Sequence, residues 1–257
     1  MRLLVTNDDG VRGPGILALA QAMATTGHDV LVAAPQQDMT GYGAALGEMH
    51  ADSTIDVQEV ELPGLEGIRC VGVAGPPALA VMAARLGGFG PPPDLVVSGI
   101  NPGPNTGRAT LHSGTVGAVL TGGNFGVSGI AVSIGTGETY HWDTAGRLAV
   151  AALEWLVDQP AKTMLNLNVP NLPLDEVKGI RWARLAPFGT VRAGLIEAPN
   201  GGLQMELRAH NEHLPADSDT ALVNNGYAAI TSIVGIRATD PVPVAEFIEA
   251  RLQLPSG

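Results

Sequence analysis

Asp8 and Asp9 are the side chains best placed for chemistry, because adjacent carboxylates repel each other and a nearby cation is the simplest compensation. They stand in TNDDG, where an apolar run from Met1 to Val5 gives way to turn formers. An Asx turn capping the next helix is the competing reading. Two other glycine-rich loops carry oxygen donors of the same hard kind, Thr40 in DMTGYG and Asn101 in SGINPG. If their strands are neighbours, Asp8, Asp9, Thr40 and Asn101 converge at one sheet edge. Such a set suits one divalent cation per subunit, Mg2+, Mn2+ or Ca2+, and not a closed zinc site. Ser113-Gly114-Thr115 opens a helix and offers backbone N–H groups and two hydroxyls to an anion. A cation beside an anion hole is the apparatus for phosphoryl transfer to water. Each piece also has a plainer reading: Ser113 as an N-cap, Asn101 as a turn residue, Thr40 as a surface hydroxyl. Those readings leave the joint placement unexplained.

The elements that must position these residues follow from periodicity. Met1–Val5, His28–Ala34, Asp94–Ser98, Gly129–Ile134 and Met164–Val169 are short apolar runs, as in strands of a parallel sheet covered on both faces. Helical spacing joins them: Ile16, Leu19, Ala20 and Met23; an alanine-rich segment to Leu86 opened by Pro76 and Pro77; Ser113 to about Asn124; Thr144 to Val157. Thr54–Leu62 alternates and reads as an antiparallel edge strand. From Gly179 to Leu207 short alternating stretches with turns such as Asn200-Gly201 predict an antiparallel hairpin excursion. Tyr227–Ile236 returns to a core-like strand, and Pro243–Leu252 closes with a helix. The expectation is one α/β domain spanning 1–257, a mostly parallel sheet between two helical layers. Its core is about 1–170 and 219–257, with the excursion at about 179–210.

Composition narrows the partners. The chain has 257 residues, a net charge of −11 and 4% aromatic residues, which argues against binding a nucleic acid polymer, whose phosphates need Lys and Arg. A small phosphate ester remains open, because a metal ion supplies positive charge locally. The single Cys70 excludes an intrachain disulfide and fits a reducing compartment. No apolar run reaches the roughly 18 residues needed to span a bilayer, and no secretory leader is visible, so a cytoplasmic protein without membrane attachment is expected.

TNDDG followed by GPGI, the AP-x4-TG-x-G loop, SGIN-x-GPN-x-G and SGTVGA, in this order over about Met1 to Ser133, resemble the SurE family of metal-dependent 5'/3'-nucleotidases and acid phosphatases. Weaker echoes follow in Asn166–Pro170 and around Asp219-Thr220. The resemblance implies a Rossmann-like three-layer sandwich with a projecting β-hairpin, and association as a homodimer or homotetramer. It also implies Asp8, Asp9 and Asn101 as metal ligands, with Thr40 where the family has a serine. Asn105, Ser113, Gly114 and Thr115 would line the phosphate pocket. The chain departs from the family at Pro76 and Leu79, where Thr and Asp are usual, at Arg108, Ala109 and His112 ahead of SGTV, and at Thr121 in place of Glu.

Two functions from different classes therefore stand. The first is a divalent-metal-dependent phosphatase acting on nucleoside monophosphates or similar small phosphate monoesters, with Asp8 and Asp9 as catalytic residues and Asp8 as the candidate base or nucleophile. The second, motivated by the departures, is a relative that binds a phosphorylated small molecule and metal without turnover, or with narrowed specificity. A dinucleotide-binding protein is disfavoured because no G-x-G-x-x-G follows the first strand. Arg108, five residues before Ser113, reads as a contact to a second anionic group on the substrate or as a solvated surface arginine.

Overall fold

The computed structural model describes residues 1–48, 50, 52–187, 191–198, 201–209, 214–237, 244, 248 and 251. The strands are β1 (Arg2–Thr6), β2 (Asp29–Pro35), β3 (Val57–Glu59), β4 (Arg69–Val73), β5 (Leu95–Pro102), β6 (Ser128–Ile134), β7 (Met164–Val169), β8 (Ile180–Trp182), β9 (Val191–Glu197), β10 (Leu203–Ala209) and β11 (Ala228–Ile233). The helices are α1 (Pro14–Ala24), α2 (Pro77–Arg85), α3 (Gly114–Asn124), α4 (Trp142–Leu156) and α5 (Asp219–Asn224).

One nine-stranded sheet runs β3-β4-β2-β1-β5-β6-β7-β11-β8. The six strands from β4 to β7 are parallel, and β3 and β11 pair antiparallel with their neighbours β4 and β7. From β1 the chain steps outward through β2, while β5, β6 and β7 fill the other side, so β1 and β5 meet where the order reverses. In open α/β sheets that reversal opens a crevice at the carboxyl ends of the strands, and Asp8 and Asn101 sit at those ends.

Alternate residues of the parallel strands feed two cores. Leu3, Val5, Val97, Ile130 and Leu167 face α1 and α4, whereas Leu4, Val96, Ala131 and Met164 face α2 and α3. The result is the expected three-layer α/β/α sandwich. Prolines begin α1 and α2 at positions where no backbone donor is needed.

One crossover breaks the usual rule of hand. The β1–α1–β2 and β5–α3–β6 units step in opposite directions on opposite faces, so they share a hand. The β6–α4–β7 unit steps like the second but lies on the face of the first, and so takes the other hand. The face of β7 opposite α4 is thereby shared by α3, which packs on Met164, and the loop after β5, whose Asn105 carbonyl accepts from Asn166 Nδ2 at 2.8 Å and Asn168 Nδ2 at 3.0 Å.

The C-terminal excursion differs from the sequence expectation in one respect. β9 and β10 form the separate antiparallel hairpin, but β8 joins the main sheet at its edge, parallel to β11. Three residues of alternation cannot tell a hairpin strand from an edge strand. The helix expected at Pro243–Leu252 lies outside the described residues, save Val244, Ile248 and Arg251. Among the described residues no helix is long and apolar enough to cross a membrane.

Candidate active site

Asp8 is buried at the end of β1, and the first turn of α3 is packed directly onto it. A Cβ on Gly114 would stand 2.7 Å from Asp8 Cβ and 2.8 Å from its Oδ2, so only glycine permits this approach. Thr115 Oγ1 donates to Asp8 Oδ1 at 2.5 Å. Burial pushes the Asp8 carboxyl up from its ordinary range, and hydrogen bonds from the Thr115 hydroxyl and the Thr115 and Gly114 amides offset part of that. The anion at the α3 N-terminus is therefore a side chain of the protein itself.

A bulge brings Asn101 to the same place. Ser98 pairs with Ala131 but Asn101 with Ser133, so β5 carries one extra residue between them. Ile100 stays in the α1 and α4 core, and Asn101 turns to the α3 side. Its Nδ2 donates to the Gly103 carbonyl at 2.7 Å, which leaves Oδ1 facing the Thr115 hydroxyl at 3.4 Å. On the other side of β1, the amide of Met39 donates to the Asp8 carbonyl at 2.7 Å and draws the loop after β2 against the site.

Asp9 completes the acidic pair. It is half-buried, its Oδ2 has no hydrogen-bond partner among the described residues, and burial first, then the charges of Asp8 and Asp38, pushes its carboxyl up to about 7. An unpartnered carboxylate oxygen beside a second carboxylate and an amide oxygen fits a hard divalent cation in donor type. Among the described residues no three His, Cys, Asp or Glu side chains gather, so Asp8 and Asp9 need neutral oxygens such as Asn101 Oδ1 to complete such a set.

The remaining site candidates are placed differently. Thr40 is exposed, and its hydroxyl and amide both bond Asp38 Oδ1, at 2.6 and 2.8 Å. Those bonds hold Asp38 below the usual carboxylate range. Ser113 is an N-cap, its Oγ accepting from the Val116 amide at 3.1 Å, so the plainer reading holds for its side chain. Neither hydroxyl of the Ser113–Thr115 pair points unused into the crevice. Asn105 is fixed by its amide to Asn168 Oδ1 and by its Nδ2 to Ser133 Oγ. Arg108 and His112 are exposed on a 3-10 turn over Gly107–His112, and Arg108 has no side-chain hydrogen bond or ion pair among the described residues.

Two residues of weight escape a reading by motif, and a third, Asp219, shows there only as a weak echo. Asp38 acts on Asp9 through space, Ser133 anchors Asn105, and Asp219 holds loops distant in sequence. The AP-x4-TG-x-G loop contains Asp38, and its Asp-x-Thr pattern is the signal of an Asx turn. For Ser133 no local signal exists. Three of the departures from the family pattern have roles within the layer of α2 and α3. Pro76 is the N-cap of α2, Leu79 is buried in the α2 and α3 core, and Thr121 bonds the Gly117 carbonyl within α3 at 2.8 Å. A groove of about 820 Å3 between α1 and α4 is lined by none of these site residues.

Known proteins resemble this chain in sequence and in fold. The family model described as Survival protein SurE matches residues 3–189. The chain is 41% identical over 189 residues to a 5'-nucleotidase SurE of Xanthomonas euvesicatoria, covering 72% of this chain and 70% of that relative. It is 34% identical over 238 residues to a 5'/3'-nucleotidase SurE of Erwinia tasmaniensis, covering 91% and 90%. The crystal structure of a SurE protein from Aquifex aeolicus superposes with a TM-score of 0.79 at 29% identity, covering 98% of this chain and all of that one.

Proposed function

The chain belongs to the SurE family, and from that premise we propose that it is a divalent-metal-dependent 5'-nucleotidase, a phosphoric monoester hydrolase acting on nucleoside monophosphates and similar small phosphate monoesters. The observation that carries the metal dependence is the bare, buried Asp9 Oδ2 beside Asp8. Asp8, Asp9 and Asn101 Oδ1 would hold the cation, Mg2+ or Mn2+ before Ca2+; the Thr40 hydroxyl donates its proton to Asp38 and keeps its oxygen lone pairs for a cation. When bound, the cation supplies Lewis-acid polarisation of a phosphoryl oxygen and a more acidic water.

The chain's own residues divide the remaining work. Asp8 is held by Thr115 and by the α3 amides, which suits a fixed ligand. Asp9 is pushed up to about 7 without a cation, and a cation beside it would favour its ionised, ligating form. The Gly114 and Thr115 amides form an anion seat at a helix N-terminus, which Asp8 shares with the substrate phosphate. Asn105 shapes the opposite wall, and Arg108 is free to meet further negative charge on the substrate.

The departures from the family pattern spare Asp8, Asp9 and Asn101, so both readings keep the cation, and the relatives named as nucleotidases favour turnover. The exposed Leu195, Leu203 and Met205 on the β9–β10 hairpin support association into a homodimer or homotetramer, because an isolated two-stranded hairpin is marginal in water. The single buried Cys70 is compatible with action in the cytoplasm. Phosphate release across a panel of nucleoside monophosphates and sugar phosphates tests the substrate class. Hydrolysis of the nucleotides with kcat/KM above that for sugar phosphates is expected, and phosphate release from none of them would refute it.

A further inference from the structure

Asp219 is wholly buried at the start of α5, and its two carboxylate oxygens do separate work. Oδ2 accepts the Gly107 amide at 2.8 Å, across 112 residues of chain. Oδ1 accepts the Ala186 amide at 2.9 Å and the Thr220 amide at 2.8 Å, with the Thr220 hydroxyl at 3.4 Å. Gly107 lies two residues after Asn105 and immediately before Arg108. Its φ of +59° gives it a backbone that other residues rarely adopt, so the turn there is set by the chain and held by Asp219. Ala186 lies in the segment that leads from β8 towards the β9–β10 hairpin. One carboxylate therefore ties the substrate loop of the N-terminal half to the base of the hairpin.

We infer that Asp219 is a positioning residue for substrate binding, pinning the loop that carries Asn105 and Arg108 through the Gly107 amide. The inference rests on the assignment of that loop to substrate under the proposed function. A buried carboxylate accepting backbone N–H groups makes charge-assisted bonds, stronger than neutral ones. Asn168, Asn166 and Ser133 fix the loop at Asn105; Asp219 fixes it at the next turn, where Arg108 departs.

The asymmetry of the two oxygens supplies the test. In Asp219→Asn the Oδ1 bonds to Ala186 and Thr220 survive, but an amide NH2 replaces Oδ2 and opposes the Gly107 donor. Thr220→Val is the control, since it removes a buried hydroxyl from the same carboxylate and leaves the Gly107 bond. Asp219→Asn is expected to raise KM for a nucleoside 5'-monophosphate by about tenfold, with kcat changed less than threefold, while Thr220→Val lowers the melting temperature and leaves KM within twofold. In the wild type the Gly107 amide is expected to exchange its hydrogen as slowly as core strand amides, and in Asp219→Asn much faster, with Ala186 still protected. A KM for Asp219→Asn within twofold of wild type, an equal KM rise in Thr220→Val, or fast exchange at Gly107 in the wild type would overturn the inference. The exchange measurement needs no substrate and judges the pin even if the variant folds poorly or the wild type proves inactive. An inactive wild type would sink the phosphatase reading separately.

Discussion

The Thr115 hydroxyl donates to Asp8 Oδ1 at 2.5 Å, so the first turn of α3 and the end of β1 are joined through the residue most central to the site. Val has nearly the shape of Thr without the donor. Loss of a hydrogen bond to a buried carboxylate costs about 1.5–3 kcal/mol, so Thr115→Val is expected to lower kcat/KM roughly ten- to a hundredfold. Thr115→Ser, which keeps the hydroxyl, is expected to stay within a few fold of wild type. Steady-state kinetics on a nucleoside monophosphate decide it, and an unaffected Thr115→Val would show that the bond does not orient Asp8 for catalysis.

Gly114→Ala asks whether the close approach itself matters. The new methyl would lie 2.7 Å from Asp8 Cβ, and the carboxylate must move to admit it. Activity is expected to fall at least a hundredfold, as about 1 Å of misplacement at a reacting group can cause. Circular dichroism should still show a folded sheet, because α3 keeps its buried Val116, Ala118 and Val119. Retained activity would mean that Asp8 need not sit where it does.

The raised Asp9 carboxyl predicts a particular pH dependence for the metal-free protein. Its folded value of about 7 exceeds the ordinary 3.8, so the folded state binds more protons between those values. Asp9 therefore costs nothing below about pH 4, and its charge destabilises the fold progressively as pH rises through 7. Asp9→Asn removes that penalty. In chelator, the melting temperature of Asp9→Asn minus that of wild type should grow from pH 5 to pH 8. A difference that stays flat, or shrinks, would contradict the assignment.

The sheet and its two helical layers are legible because each parallel strand is a short apolar run and each helix repeats at 3.6 residues. The edge that carries the candidate site is legible for a related reason, since TNDDG and SGIN interrupt such runs with residues that strands exclude. The 3-10 turn at Gly107–His112 and the six-residue α5 are not, because neither is long enough to show a period. Asn101 could be named from its loop, but not the bulge that aims it, which depends on pairing with Ser133 across the sheet. Thr40 shows the opposite failing. Its loop is where expected, yet a hydroxyl near a carboxylate takes the local partner, here Asp38 at 2.6 Å.

That local bond makes Thr40 a separate test. If the hydroxyl oxygen ligates the cation, Thr40→Val should weaken Mn2+ binding several-fold by calorimetry and lower kcat, whereas Thr40→Ser should preserve both. Equal affinity in all three proteins would make the hydroxyl a partner of Asp38 only.

The most direct measurement is phosphate release from a nucleoside 5'-monophosphate by protein stripped with a chelator and then given Mg2+ or Mn2+, beside Asp9→Asn and Asn101→Ala treated alike. Stripped wild type should be inactive and recover on adding the cation, while both variants, folded by circular dichroism, should recover less than about a hundredth of that rate. Full activity in chelator, or wild-type recovery in either variant, would contradict a cation held between Asp8, Asp9 and Asn101.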